Sequence, residues 1–321
     1  MAENSVDPNL IEQLKKLQAK YDAMGQDLSS YLDGLLYSDY LTYWDYIHLD
    51  TLLSLQTPKT HLPDEKVFIG YHQITELYFQ LILHELTQIA ERENIDETFF
   101  IERIDRVIRY FRQLENSFDI MGEGMEKEQF LKFRMALLPA SGFQSAQYRF
   151  IEIYSTDMIN LVNAPDRDRL KDADVSAQLE KIYWRSGATE LASGKKTLTL
   201  QQFEEKYMKD FHTAAETFRN RNLRQIYQQR FASSERKEVI VEKLREYDSL
   251  ANVMWRLAHL KSSGRYLQKA LKDLKATGGT NWQKYLPPHF QRIMFFPELW
   301  SEHERKEWGK GAIIRMAEKA S

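Results

Sequence analysis

Apolar residues recur at three- and four-residue steps along most of this chain. Leu10, Ile11, Leu14, Leu17 and Tyr21 do so over residues 8–24, which predicts an amphipathic helix. Ile104, Ile108, Phe111 and Leu114 repeat the pattern over 101–119. The run FIGYHQITELYFQLILHEL at 68–86 has apolar residues on nearly every face and predicts a helix buried all round. A long block from about 235 to 275 puts Leu244, Tyr247, Ala251, Trp255 and His259 on one stripe and ends in Thr277-Gly278-Gly279-Thr280. FRMALLPASGFQSAQYRFIEIY at 133–154 reads as an apolar stretch stopped at Pro139, a turn at Ser141 and Gly142, and a second helix. Residues 155–200 are polar and weakly periodic and read as loops with short helices. With no internal repeat and no linker cutting the chain in two, the pattern predicts a single large all-α domain.

Composition supports that class. Only 13 Gly and 8 Pro in 321 residues leave too little turn punctuation for a strand-rich fold, while 17 Tyr, 17 Phe and 6 Trp supply an aromatic core. Lys plus Arg is 44 against 47 Asp plus Glu, a net charge of −3, which argues against nucleic acid as partner. The absence of cysteine excludes disulfides, iron–sulfur clusters, thiolate-ligated haem and zinc–cysteine sites. No apolar run approaches the ~18 residues of a membrane span. The start, MAENSVDPNLIEQLKKLQAKYDAMGQ, is polar and has no secretory pattern, so the expected compartment is the cytoplasm.

Several chemistries fail on spacing. SGKKT at 193–197 ends like a phosphate-binding loop, but the glycine that such a loop needs is Thr189. His84-Glu85 opens a zinc-protease motif whose second ligand position is Gln88, and no histidine has the Glu three residues before it that helical di-iron sites require. What remains is histidine on apolar helices. His72 shares a face with Phe68, and His259 continues the Trp255 stripe. A neutral imidazole on a buried helix suits a His-ligated haem, although a core histidine bonded to a carbonyl or carboxylate would give the same pattern. Arg134 lies in an apolar run and needs an anion, either a protein carboxylate or that of a substrate held bidentately. The Tyr43, Trp44, Tyr46 cluster fits core packing as well as a pocket.

Together these segments resemble one family, the haem-dependent tryptophan 2,3-dioxygenases. The resemblance is carried by LTYWDYIHLDTLL at 41–53, FIGYHQITELYFQLILHEL at 68–86, FRMALLPASGFQSAQYRFIE at 133–152, WRLAH at 255–259 with TGG at 277–279, and more weakly FFPELW at 295–300. It implies an all-α fold holding haem b between helices, ferrous for activity. His259 would be the proximal iron ligand, with Trp255, Ser141 and Gly142 against the haem. His72 would hydrogen-bond the indole N–H of L-tryptophan, Phe68 would pack on the ring, and Arg134 with Thr277 would fix the amino-acid end. Phe130 stands near that carboxylate where some members carry a tyrosine. Tyr43, Tyr46 and Ile47 match positions that reach a neighbouring subunit's pocket in a homotetramer. The implied division is therefore an intersubunit helical arm at 1–40 and a catalytic domain at 41–321. The implied reaction inserts both atoms of O₂ and gives N-formylkynurenine, the first step of the kynurenine pathway. Competing readings are a haem enzyme acting on another indole, a haem-binding sensor without turnover, and a helical interaction protein without cofactor. Arg134 favours an amino-acid substrate, because an indole lacking a carboxylate would leave the guanidinium unpaired.

Overall fold

The computed structural model describes residues 6–37, 42–134, 142–186, 188–189, 195–267 and 291–311. Among them the fold is all-α: no strand occurs, only the isolated bridges Val162–Ile182 and Thr189–Lys196. The chain divides into two compact units, Met1–Leu55 and Gln56–Ser321.

The first unit holds α1 (Pro8–Ala23), α2 (Leu28–Tyr37), α3 (Tyr43–Tyr46) and α4 (Leu49–Ser54). Asp7 starts α1 by accepting from the Asn9 N–H, with Pro8 pre-set for the first turn. Asp27 does the same for α2 through Ser29 and Ser30. The amphipathic stripe predicted over 8–24 is present, yet α1 buries no residue, and Leu10, Ile11 and Leu17 stay exposed.

The second unit begins with two long helices, α5 (Asp64–Glu91) and α6 (Glu97–Gly122). Asp96 caps α6 at the Phe99 N–H, and the acids Asp64 and Glu65 sit in the first turn of α5, where the helix dipole favours them. Then come α7 (Lys127–Phe133), a 3₁₀ turn at Gly142–Gln144, and α8 (Ala146–Ser155), capped by Ser145. Four short helices follow: α9 (Met158–Leu161), α10 (Arg167–Leu170), α11 (Val175–Glu180) and α12 (Tyr183–Ser186). The polar stretch read as loops with short helices thus has them, and they are packed, because Leu161, Val162, Leu179, Ile182, Tyr183 and Trp184 are all buried. α13 (Leu198–Phe218), α14 (Leu223–Ile226), α15 (Lys237–Ser249), α16 (Trp255–Leu267) and a capping-box helix α17 (Glu302–Lys306) complete the order.

Between α15 and α16 the backbone keeps turning as a π-helix over Leu250–Met254, and a second π-turn spans Tyr227–Phe231. The predicted long block is therefore one rod from Lys237 to Leu267 with an extra residue absorbed in its middle, its remainder lying outside the described residues. The main core joins α5, α6, α8, α13 and α15, with Phe79, Phe100, Phe111, Tyr148, Phe211 and Tyr247 at its centre.

One expectation is overturned. α5 is not buried all round: Ile74, Leu77 and Leu81, which share one arc of the helix, are 48, 52 and 44% exposed. Its other arc carries Tyr71, Thr75, Phe79, Ile82, Leu86 and Ile89 into the interior. The hydrophobic run outnumbers the surfaces that cover it among the described residues.

Phe111, fully buried beside the Tyr247 ring at 5.6 Å, sets a stability test. Phe111→Ala should cost about 3–5 kcal/mol, read as a lower urea midpoint. Leu198→Ala on the exposed start of α13 should stay within about 0.5 kcal/mol. Equal effects would contradict this placement of the core.

Candidate functional site

α5, α6, α7 and α16 bring one continuous aromatic wall together in the second unit. Phe68 lies 4.1 Å from the His72 ring, a turn along α5, and 5.6 Å edge-on from Phe133 of α7. Phe130 continues the wall, 5.5 Å from Phe133 and 6.2 Å from Phe68. On the other side of His72, Tyr71 stands perpendicular at 5.9 Å and meets Phe118 of α6 at 5.8 Å. Phe118 in turn lies 5.8 Å from His259, whose ring is nearly parallel to Trp255 at 6.0 Å. Trp255 stacks on Tyr148 of α8 at 5.0 Å.

His72 keeps an open surface although burial is the largest influence on its titration, holding its pKa below the ordinary value. An open imidazole crowded by the rings of Phe68 and Tyr71 borders a recess along the wall. The Phe68 carbonyl lies 2.7 Å from Nδ1, and a carbonyl can only accept, so Nδ1 carries the proton. Nε2 is left as an acceptor. The geometry therefore offers a neutral imidazole able to receive one N–H from a ligand in the recess.

His259, on α16, is half-buried, and burial pushes its pKa down to about 4, with the charge of His72 a further cause. The two imidazoles are thus within electrostatic reach of one another across the recess. Among the described residues His259 has ring neighbours but no hydrogen-bond partner, and the buried Trp255 N–H has no acceptor. A neutral imidazole with a free lone pair, set among aromatic rings, is the donor type that haem iron takes. The residues present fit that group.

Arg134 closes α7, its N–H bonding the Phe130 carbonyl at 3.0 Å. Its guanidinium lies 5.8 Å over the Phe130 ring, is half-buried, and has its pKa lowered by burial. No carboxylate partners it among the described residues. The alternative of a protein carboxylate is therefore unsupported there, and an incoming anion would be received by a desolvated cation beside an aromatic edge.

The remaining predicted residues divide three ways. Gly142 opens the 3₁₀ turn that leads into α8. Ser141 and Thr277 lie outside the described residues. Tyr43, Tyr46 and Ile47 belong to the first unit, on α3 and its C-cap, with exposed side chains, so they are not core packing there. Sequence reasoning missed Tyr71, Phe118 and Phe133, because an aromatic that lines a recess has the same periodicity as one in the core. It also missed the buried ions Arg149 and Glu152 on α8 and Arg256 on α16. The only signal was charge within apolar runs, YRFIEI at 148–153 for Arg149 and Glu152 and WRLAH at 255–259 for Arg256.

Comparison with known proteins finds relatives of one kind. A tryptophan 2,3-dioxygenase of Ruegeria sp. (strain TM1040) is 29% identical over 267 residues, 83% of this chain and 92% of that protein. One from Bradyrhizobium diazoefficiens is 28% identical over 280 residues, 82% of this chain and 92% of that protein. One from Anaeromyxobacter sp. (strain K) reaches 40% over a shorter stretch of 121 residues, 37% of this chain and 45% of that protein. The profile of the family described as tryptophan 2,3-dioxygenase matches residues 34–252, which include Phe68, His72, Phe130 and Arg134 and stop short of His259. With more than half of its length so matched, the chain belongs to the tryptophan 2,3-dioxygenase family.

Proposed function

We propose that this protein is a haem-dependent dioxygenase that cleaves the C2–C3 bond of the indole ring of L-tryptophan with O₂ to give N-formylkynurenine. The observation that carries the reading is the pairing of two neutral histidines, His72 and His259, along one aromatic wall that ends at an Arg134 without a carboxylate partner among the described residues.

In this reading His259 is the protein ligand of haem iron, with Trp255 beside it and Ser141 and Gly142 at the haem edge. Ferrous haem b, when bound, supplies the oxygen chemistry. The chain supplies position. His72 Nε2 accepts the indole N–H, a role supported by the Phe68 carbonyl that fixes the proton on Nδ1. Phe68 packs on the indole ring. Arg134 takes the substrate carboxylate in a bidentate pair, Thr277 assists at the carboxylate and ammonium, and Phe130 shapes that end without offering a hydroxyl. Held at both ends, the indole C2 and C3 are presented in one orientation, and lost rotational freedom no longer adds to the barrier. His72 acts as a positioner and not as an obligatory base.

The functional assembly in this reading is a homotetramer, a dimer of dimers. Residues 1–40 form an intersubunit arm, residues 41–321 form the catalytic domain, and Tyr43, Tyr46 and Ile47 complete a neighbour's pocket. Support comes from the exposed Tyr43, Trp44, Tyr46 and Leu53 of the first unit and from the exposed Ile74, Leu77 and Leu81 arc of α5. A cytoplasmic location fits the absence, among the described residues, of any helix long and apolar enough to cross a membrane.

Four outcomes test the reading. The purified, reduced protein should show a Soret band and form N-formylkynurenine when L-tryptophan is added in air. His259→Ala should lose the haem, and a variant with full haem and an unchanged spectrum would refute the ligand assignment. His72→Ala should slow turnover but keep it, while Arg134→Leu should raise KM for tryptophan about 30-fold or more. An unchanged KM would remove Arg134 from the site.

The depressed His259 pKa makes a separate prediction for haem-free protein. Unfolded chain binds this proton near pH 6.5 and folded chain only near pH 4, so stability is complete above pH 6.5 and is lost as pH falls toward 4. Urea midpoints measured from pH 7 to 4 should fall more steeply for wild type than for His259→Gln. Parallel curves would assign that pH sensitivity elsewhere.

A further inference from the structure

A file of buried polar side chains runs behind His259 and takes no part in the site described so far. Asp248, Asn252 and Arg256 stack four residues apart, before, within and after the π-turn at Leu250–Met254. Asn252 Nδ2 donates to Asp248 Oδ1 at 2.8 Å, and Arg256 donates to Asn252 Oδ1 at 3.1 Å. Both ends are anchored in other parts of the unit. Asp248 accepts the backbone N–H groups of Phe295 and Phe296 at 2.9 and 3.2 Å and the Trp300 indole N–H at 3.0 Å. Arg256 donates to Glu152 of α8 at 3.1 Å and to the Tyr183 hydroxyl of α12 at 2.7 Å. Tyr183 donates to Glu152 and receives Arg149 at 2.9 Å, which closes the far end. Every member of the file is buried.

The arrangement matters because of where the π-turn lies. A π-turn absorbs one residue more than an α-helix would, and it is less stable than α geometry. If it relaxed to α, everything after it would rotate by about 100° about the helix axis. His259 sits one turn beyond Trp255, so that rotation would carry its imidazole away from Phe118 and the recess. The Tyr148 hydroxyl donates to the carbonyl of Ala251, inside the π-turn, at 2.9 Å. Side chains from α8, α12 and the 295–300 segment therefore grip this rod on both sides of its weak point.

We propose that the file Asp248–Asn252–Arg256, with Glu152 and Tyr183, is the positioning device that sets the rotation of α16 and so the aim of His259. The proposal rests on the reading of His259 as an iron ligand. None of the five residues belongs to the ring contacts of the aromatic wall, so they act on the ligand histidine through the helix that carries it.

The test is haem titration of the apoprotein and resonance Raman of the ferrous holoprotein for wild type, Asn252→Leu and Tyr183→Phe. Asn252→Leu cuts the file at its centre. It should weaken haem binding about tenfold or more, shift and broaden the iron–histidine stretching band, and lower kcat while KM for tryptophan stays within about twofold. Tyr183→Phe removes one hydroxyl and should move the same readings in the same direction by less. It also stands as the test if Asn252→Leu does not fold. Variants that fold, bind haem like wild type and show its iron–histidine band would overturn the positioning role alone. A wild type that takes up no haem would overturn the functional reading and this proposal with it.

Discussion

An imidazole without a hydrogen-bond partner among the described residues, inside a packed helical body, is held at a cost, and this site depends on that cost. Burial keeps His259 neutral far below neutral pH, and Phe118 and Trp255 fix its ring without satisfying its nitrogens. Neutrality and an unused lone pair are the two properties that an iron ligand needs. The rest follows from keeping that lone pair aimed into the recess: the rod that carries it, the wall that borders it and the histidine across from it. His72 solves the opposite problem. Its Nδ1 is satisfied by the carbonyl one turn earlier in its own helix, so the nitrogen that meets a ligand is an acceptor by construction.

The polar file behind His259 shows why stability alone is a poor account of such features. Burial pushes the Asp248 carboxyl up to about 6 even though four donors favour its charged form. A carboxyl raised from 3.8 loses stability as pH rises toward 6, a cost on the order of 3 kcal/mol at neutrality. Its slope with pH is opposite to that of His259. A well-packed apolar replacement would be as stable or more so. What an apolar replacement could not do is specify one rotation of the helix, since hydrophobic contacts are not directional whereas hydrogen bonds are.

Much of this was legible in the sequence because helical periodicity reports burial directly. The α6 stripe and the stripe from Leu244 to His259 both face the interior, and the apolar surroundings of Arg134, His72 and His259 marked them as candidates before any fold was known. The π-turn was not legible, because an absorbed residue leaves no compositional trace. Nor was the Asp248, Asn252, Arg256 file, since polar residues four apart on a helix ordinarily describe a solvated face. Residues 155–186 showed their short helices but not their packing, for a related reason. Their charges sit at the ends of short helices and conceal the burial of Tyr183 and Trp184 between them.

The run at 68–86 misled in the other direction, and its error is informative. Apolar residues on every face predict complete burial, yet one arc of α5 is open in the single chain. The helix meets three surroundings. Phe79, Ile82 and Leu86 enter the core, Phe68 and His72 border the recess, and Ile74, Leu77 and Leu81 face outward. Large aliphatic side chains three and four residues apart on an open arc are what a partner helix would cover. If a second copy covers them, the sequence pattern described the assembly and not the monomer. His72 and Phe68, proposed to position the substrate, would then sit on the same helix as residues that join subunits.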